Sequence, residues 1–153
     1  MNRIEKVREC VDKMLITMPD SVARRGAYIH LYGVSQACSM LALKRNQNAE
    51  LATIAGMLHD IYSYATMDTY EHAQKGAIMA RGILNSLEIF TEDEVNSICN
   101  AIYNHSKKDG THASFDEVLI DADVLQHCLY NPLFDVMEHE KRRYDKLKLE
   151  IGL

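Results

Sequence analysis

His59 and Asp60 stand side by side at the end of the stretch LATIAGMLHD. Neighbours on an α-helix point about 100° apart and in mid-helix would rarely share a ligand. At a helix C-terminus the chain turns away, and the exposed carbonyls favour a nearby cation. Other metal-ligating side chains occur along the chain: His30 between Gly26 and Gly33, His72 in a predicted first helical turn, and His105 at a predicted helix end. Asp121 and Asp123 lie within an apolar helical stretch, where a carboxylate is costly unless a cation compensates it. Neutral imidazoles and anionic oxygens placed around one core are the donor set of a divalent-metal site. Helical period does not choose between Asp121 and Asp123, because apolar neighbours surround both.

The elements that must position these side chains read as helices throughout. Ile4, Val7, Val11, Met14, Leu15 and Met18 mark an amphipathic first helix, stopped by Pro19. Asp20 and Ser21 can cap a second segment, which the two glycines predict to be bent or interrupted around His30. Val34 to Ala42 gives a further helix. Asn48 can cap the one ending at His59 and Asp60, whose Leu51, Ile54, Ala55 and Leu58 commit one face to a core. IYSYATMDTY shows no helical period and predicts a functional loop. Helix resumes from about Glu71 to Ile89. Thr91 with Glu94 and Ser114 with Glu117 are predicted capping boxes for the next two helices. Pro132 precedes a charged final helix, whose run from Glu138 to Lys148 reads as a solvated face. No strand pattern or repeat occurs. The expectation is an all-α single domain over residues 1–153, a bundle of about seven helices.

Composition narrows the class. With 47% apolar and 25% charged residues, the 153-residue chain can bury a core without staples. A net charge of −5 argues against duplex nucleic acid and anionic membranes as partners, but not against a phosphorylated small molecule. Cys10, Cys38, Cys99 and Cys128 are scattered, as expected of reduced thiols in a cytoplasmic protein. The charged N-terminus does not read as a signal peptide, and no apolar run is long enough to span a membrane. There is no Gly-rich phosphate loop and no Gly-x-Ser-x-Gly elbow. His139-Glu140 lacks the second histidine of a zincin motif.

The order His30, His59-Asp60, Asp123, with HLYGVSQACSMLA, ELATIAGMLHDI and LIDADVL around it, resembles the HD-domain superfamily of metal-dependent phosphohydrolases. The resemblance runs from about residue 28 to 125. It implies that His30, His59, Asp60 and Asp123 hold one metal, with His59 and Asp60 at the catalytic centre, and it selects Asp123 over Asp121. EHAQKGAIMARGIL with His72 and AIYNHS with His105 match two histidines that some members add, which implies two divalent metals per chain. Iron or manganese is favoured; zinc, cobalt, nickel and magnesium also suit such ligands. His112, His127 and His139 match no family position: His112 is a candidate for the site mouth, and the other two read as structural or exposed.

The implied reaction is hydrolysis of a phosphoester or phosphoanhydride of a nucleotide or similar phosphorylated metabolite by a metal-activated hydroxide. Arg24, Arg25, Lys75, Lys107 and Lys108 are candidate phosphate clamps. Tyr62 follows the HD-Ile where many relatives carry glycine, and with Tyr64 it is expected to narrow the pocket or stack on a base. Two alternatives stay open: a non-catalytic regulatory module with a structural metal, and a di-iron oxygenase on the same fold. Substrate, physiological metal and oligomeric state are not specified by these residues.

Overall fold

Every residue from Leu51 to Leu58 is buried. The sequence pattern commits one face of this segment to a core; instead the helix α3 (Ala49–Leu58) is enclosed on all sides, as befits a helix apolar all round. Around it the computed structural model, which describes all 153 residues, arranges α1 (Arg3–Leu15), α2 (Ser21–Lys44), α4 (Ile61–Thr66), α5 (His72–Leu87), α6 (Glu92–Asn104), α7 (Ser114–Tyr130) and α8 (Glu138–Ile151). There are no strands, and the architecture is a single all-α domain, with seven helices of ten residues or more and the six-residue α4. No helix is long and apolar enough to cross a membrane.

Helix α2 packs on α3 and α7, α5 packs on α6, and α6 closes against α3 and α7. The predicted interruption around His30 does not occur: α2 runs unbroken for 24 residues, capped by the Asp20 carboxylate. Glycine within a helix costs about 1 kcal/mol. Burial of Leu31, Val34 and Leu41 contributes about 1.5–3 kcal/mol each and outweighs that cost. Gly56 has a separate purpose. A Cβ there would lie 2.7 Å from the Ser35 Cα, so only glycine lets α3 approach α2 this closely.

Two other local expectations are corrected. IYSYATMDTY is not a loop throughout, since Ile61–Thr66 forms α4, too short to display a period but anchored by the buried Ile61. The Thr91–Glu94 capping box is present, but the Ser114–Glu117 box is not. Ala113 occupies that N-cap position, and Glu117 turns to the His112 backbone N–H and the Arg143 guanidinium. The final helix is only partly a solvated face, because Glu140 and Leu147 are buried. All four cysteines are free, with Cys10 half-buried and the other three buried.

Candidate metal centre

Four helix ends and the middle of two helices bring six side chains to one point. His30 comes from the middle of α2, His59 caps the C-terminus of α3, and Asp60 precedes α4. His72 opens α5, His105 caps the C-terminus of α6, and Asp123 comes from the middle of α7. Met67 and Glu71, both non-glycine residues with positive φ, bracket the link from α4 to His72. Such backbone costs of order 1 kcal/mol per residue and is kept where the surroundings determine it.

Each imidazole is held by its Nδ1. His59 Nδ1 donates to the Gly56 carbonyl at 2.8 Å, His105 Nδ1 to Ile102 at 2.6 Å and His72 Nδ1 to Thr69 at 3.3 Å. His30 Nδ1 donates to Gln126 Oε1 at 2.7 Å. A carbonyl can only accept, so in the neutral rings the proton sits on Nδ1 and the Nε2 lone pair points inward. Yet the Nε2 atoms of His30 and His59 are 3.1 Å apart, and those of His72 and His105 3.2 Å. Two lone pairs facing one another repel unless a cation lies between them.

The carboxylates divide between these two imidazole pairs. Asp60 Oδ2 is 3.5 Å from His30 Nε2 and 3.6 Å from His59 Nε2. Its Oδ1 is 3.3 Å from His105 Nε2 and 3.6 Å from His72 Nε2. Asp123 Oδ1 is 3.6 Å from His30 and 3.7 Å from His59. Asp60 Oδ1 and Asp123 Oδ1 are buried and have no hydrogen-bond partner. An orphaned buried carboxylate oxygen is costly, and a metal with nitrogen and oxygen ligands at about 2.0–2.2 Å would satisfy both oxygens and all four Nε2 atoms. The donor set therefore fits a divalent ion, in four overlapping groups, of which His30, His59 and Asp60 on one side and Asp60, His72 and His105 on the other share Asp60.

Most of the electrostatics agree with that fit; His30 is the exception, since burial pushes it down but Asp60 and Asp123 outweigh that and raise it above the ordinary imidazole value. Burial holds His59 below the ordinary imidazole range, which keeps it a neutral donor. For Asp60 burial pushes upward, but positive charge at the surrounding imidazoles, chiefly His59, outweighs it when they carry a second proton and holds the carboxyl well below the usual range; a metal cation would take that place when the rings are neutral. For Asp123 burial is likewise outweighed, chiefly by the Lys108 ammonium and His59. Both carboxylates are ionised and ready to ligate.

The other candidates separate. Asp121, two residues from Asp123, faces away and pairs with Arg45 and Arg143. Lys108 binds Asp123 Oδ2, so it touches the cluster through a ligand. Lys75 is taken by Asp68 and lies over the rings of Tyr62 and Tyr70; Lys107 lies over Tyr103; Arg25 is exposed; and Arg24 donates to the Met18 carbonyl. None of these cations lines the cavity above the cluster. His112 braces its own loop through the Lys107 and Asp109 carbonyls rather than lining the mouth. Tyr64 lines the cavity, whereas Tyr62 is hydrogen-bonded to Asp68.

His127 is exposed, as the sequence reading allows, yet it also joins the cluster: it stacks on His30 with centroids 5.2 Å apart and brings Nε2 to 3.4 Å from Asp123 Oδ1. Its Nδ1 is 2.9 Å from the buried Glu140, which raises its pKa above the ordinary imidazole value, burial opposing. Its position four residues after Asp123 on a helix was the available signal, since such pairs share a face. Glu140, from α8, carried none.

A helical domain with imidazoles and carboxylates converging at helix ends defines a metal-binding class of protein. The sequence pattern of the HD domain matches residues 27–146, and the chain belongs to that family of metal-dependent hydrolases. HD domains bind divalent metals, and the clusters just described could hold them. The crystal structure of a predicted HD superfamily hydrolase from an uncultured Thermotogales bacterium is similar in fold. It is 21% identical, with a TM-score of 0.63 over 97% of this chain and 87% of that chain. A comparison with curated proteins finds no match.

Proposed function

We propose that this protein is a phosphohydrolase that uses two divalent metals to cleave a phosphoester or phosphoanhydride of a small phosphorylated metabolite. His30, His59, Asp60 and Asp123 would hold one ion, and His72, His105 and the second oxygen of Asp60 the other. The observation that carries this reading is the facing Nε2 pairs, 3.1 and 3.2 Å apart, with an Asp60 oxygen turned to each. Iron or manganese suits such a mixed nitrogen and oxygen set.

When bound, such ions lower the pKa of water and neutralise charge on phosphoryl oxygens. The chain's own contribution is to hold its donors in place. His59 and His105 are fixed by carbonyls of their own helix ends, so their Nε2 atoms cannot swing away. Gln126 does the same for His30. His30, Asp60 and His72 form part of the cavity wall, so a substrate can reach both groups of donors from one side.

Elemental analysis of protein purified without chelator tests this reading. About two iron or manganese ions per chain are expected, falling to one in His72→Ala, together with phosphate release from a substrate panel. No metal uptake overturns it. Oxygen consumption by the iron-loaded protein without phosphate release replaces it with an oxygenase.

A further inference from the structure

The cavity over the cluster has a volume of about 740 Å³, far more than a phosphate needs, and its lining is lopsided. The ligand residues His30, Asp60 and His72 are joined by an apolar wall of Ile29, Tyr64 and Met67, and the segment between α7 and α8 adds Phe134, Val136 and Met137. Phe134 and Met137 leave 67% and 61% of their surface exposed. Large apolar side chains held open at a cavity mouth are a cost in water unless something apolar covers them.

The charge pattern points the same way. No lysine or arginine lines the cavity, whereas Asp135 and Glu140 do. Lys108 pairs its ammonium with Asp123 behind the cavity wall, and the residue otherwise lines a different cleft with Arg45, Arg142 and Arg143. Two divalent ions and the Lys108 ammonium that pairs with Asp123, less Asp60, Asp123 and the attacking hydroxide, leave about two positive charges. One phosphomonoester, at about −1.5 to −2, neutralises them. A second or third phosphate would find no cation and would meet Asp135.

We infer that the cavity selects a substrate with a single phosphate and an apolar body about the size of an aromatic ring, seated on Ile29, Tyr64, Phe134 and Met137, and disfavours polyphosphates. This rests on the phosphohydrolase reading, and it adds the substrate class.

Calorimetric binding to manganese-loaded protein tests it, with methylphosphonate, benzylphosphonate and tripolyphosphate as probes. Benzylphosphonate is expected to bind at least roughly tenfold tighter than either of the others, the gain coming from ring burial. Phe134→Ala, at an exposed position that the fold does not need, is expected to keep its metal content and lose most of that advantage. Equal or tighter binding of methylphosphonate or tripolyphosphate overturns the substrate class while leaving the phosphohydrolase reading intact. No binding of any probe despite a full metal complement sinks both.

Discussion

Asp121 and Asp123 sit two residues apart on α7, are 7% and 5% exposed, and do opposite things. Asp121 accepts from Arg143 Nη1 at 2.9 Å and from Arg45 Nη2 at 2.8 Å, so both its oxygens face guanidinium groups. Those arginines continue to Glu117 and Glu150, and the network ties α2, α7 and α8 together. Asp123 has Lys108 on one oxygen and nothing but imidazoles near the other. Burial alone therefore does not mark a functional carboxylate. What marks it is a buried oxygen that the rest of the protein leaves unsatisfied, because folding would not retain that cost without a ligand to offset it.

Asp123→Asn should break the comparison at its functional end. Loss of a direct ligand is expected to lower activity and metal affinity by at least about a hundredfold, the upper range for even an outer partner. Metal content by elemental analysis and phosphate release read this out, and a variant with full metal content and activity would remove Asp123 from the site.

Asp121→Ala should act at the other end. Removing one partner of a buried ion pair costs about 3–5 kcal/mol, but Arg45 and Arg143 keep Glu150 and Glu117 and some solvent contact, so about 2 kcal/mol is expected. For a domain of this size that lowers Tm by roughly 4–8 °C, with metal stoichiometry unchanged. If metal is lost while Tm holds, the two aspartates have been assigned the wrong way round.

The smallest effect sharpens the contrast with a pair at the surface. Arg3 binds both Glu50 and Glu94, joining α1 to α3 and α6. The Arg3 hydrogen bonds are the main reason that both glutamates lie below their ordinary pKa. A carboxylate lowered in the folded state contributes stability above the unfolded value of about 4.3, and that contribution fades as pH falls through the folded values. Arg3→Ala should therefore cost about 0.5–1 kcal/mol near pH 7 and progressively less below pH 4. Urea midpoints of the two proteins that stay equally far apart down to pH 3 would contradict this.

Much of the architecture was legible because helices announce themselves locally. The Asn48 cap and the Thr91–Glu94 box each depend on residues within one turn, whereas the first helix, read as continuing through Met18 to a stop at Pro19, already ends at Leu15. The misreadings had long-range causes. Gly26 and Gly33 look like a break in α2 until α3 and α7 bury its other side. Glu117 looks like a capping residue until α8 brings Arg143 to it.

The sequence by itself determined the helical class, the family and an ordered set of imidazoles and carboxylates, because residue type and helical period are local properties. Only the tertiary structure decided that the two oxygens of Asp60 face different histidine pairs, that Asp121 belongs to an arginine network and that His127 joins the cluster through Glu140. It also placed apolar side chains, and no lysine or arginine, in the wall of the cavity over the site. Each of these depends on contacts between residues far apart in the chain, and one-dimensional spacing carries no signal of which helix faces will meet.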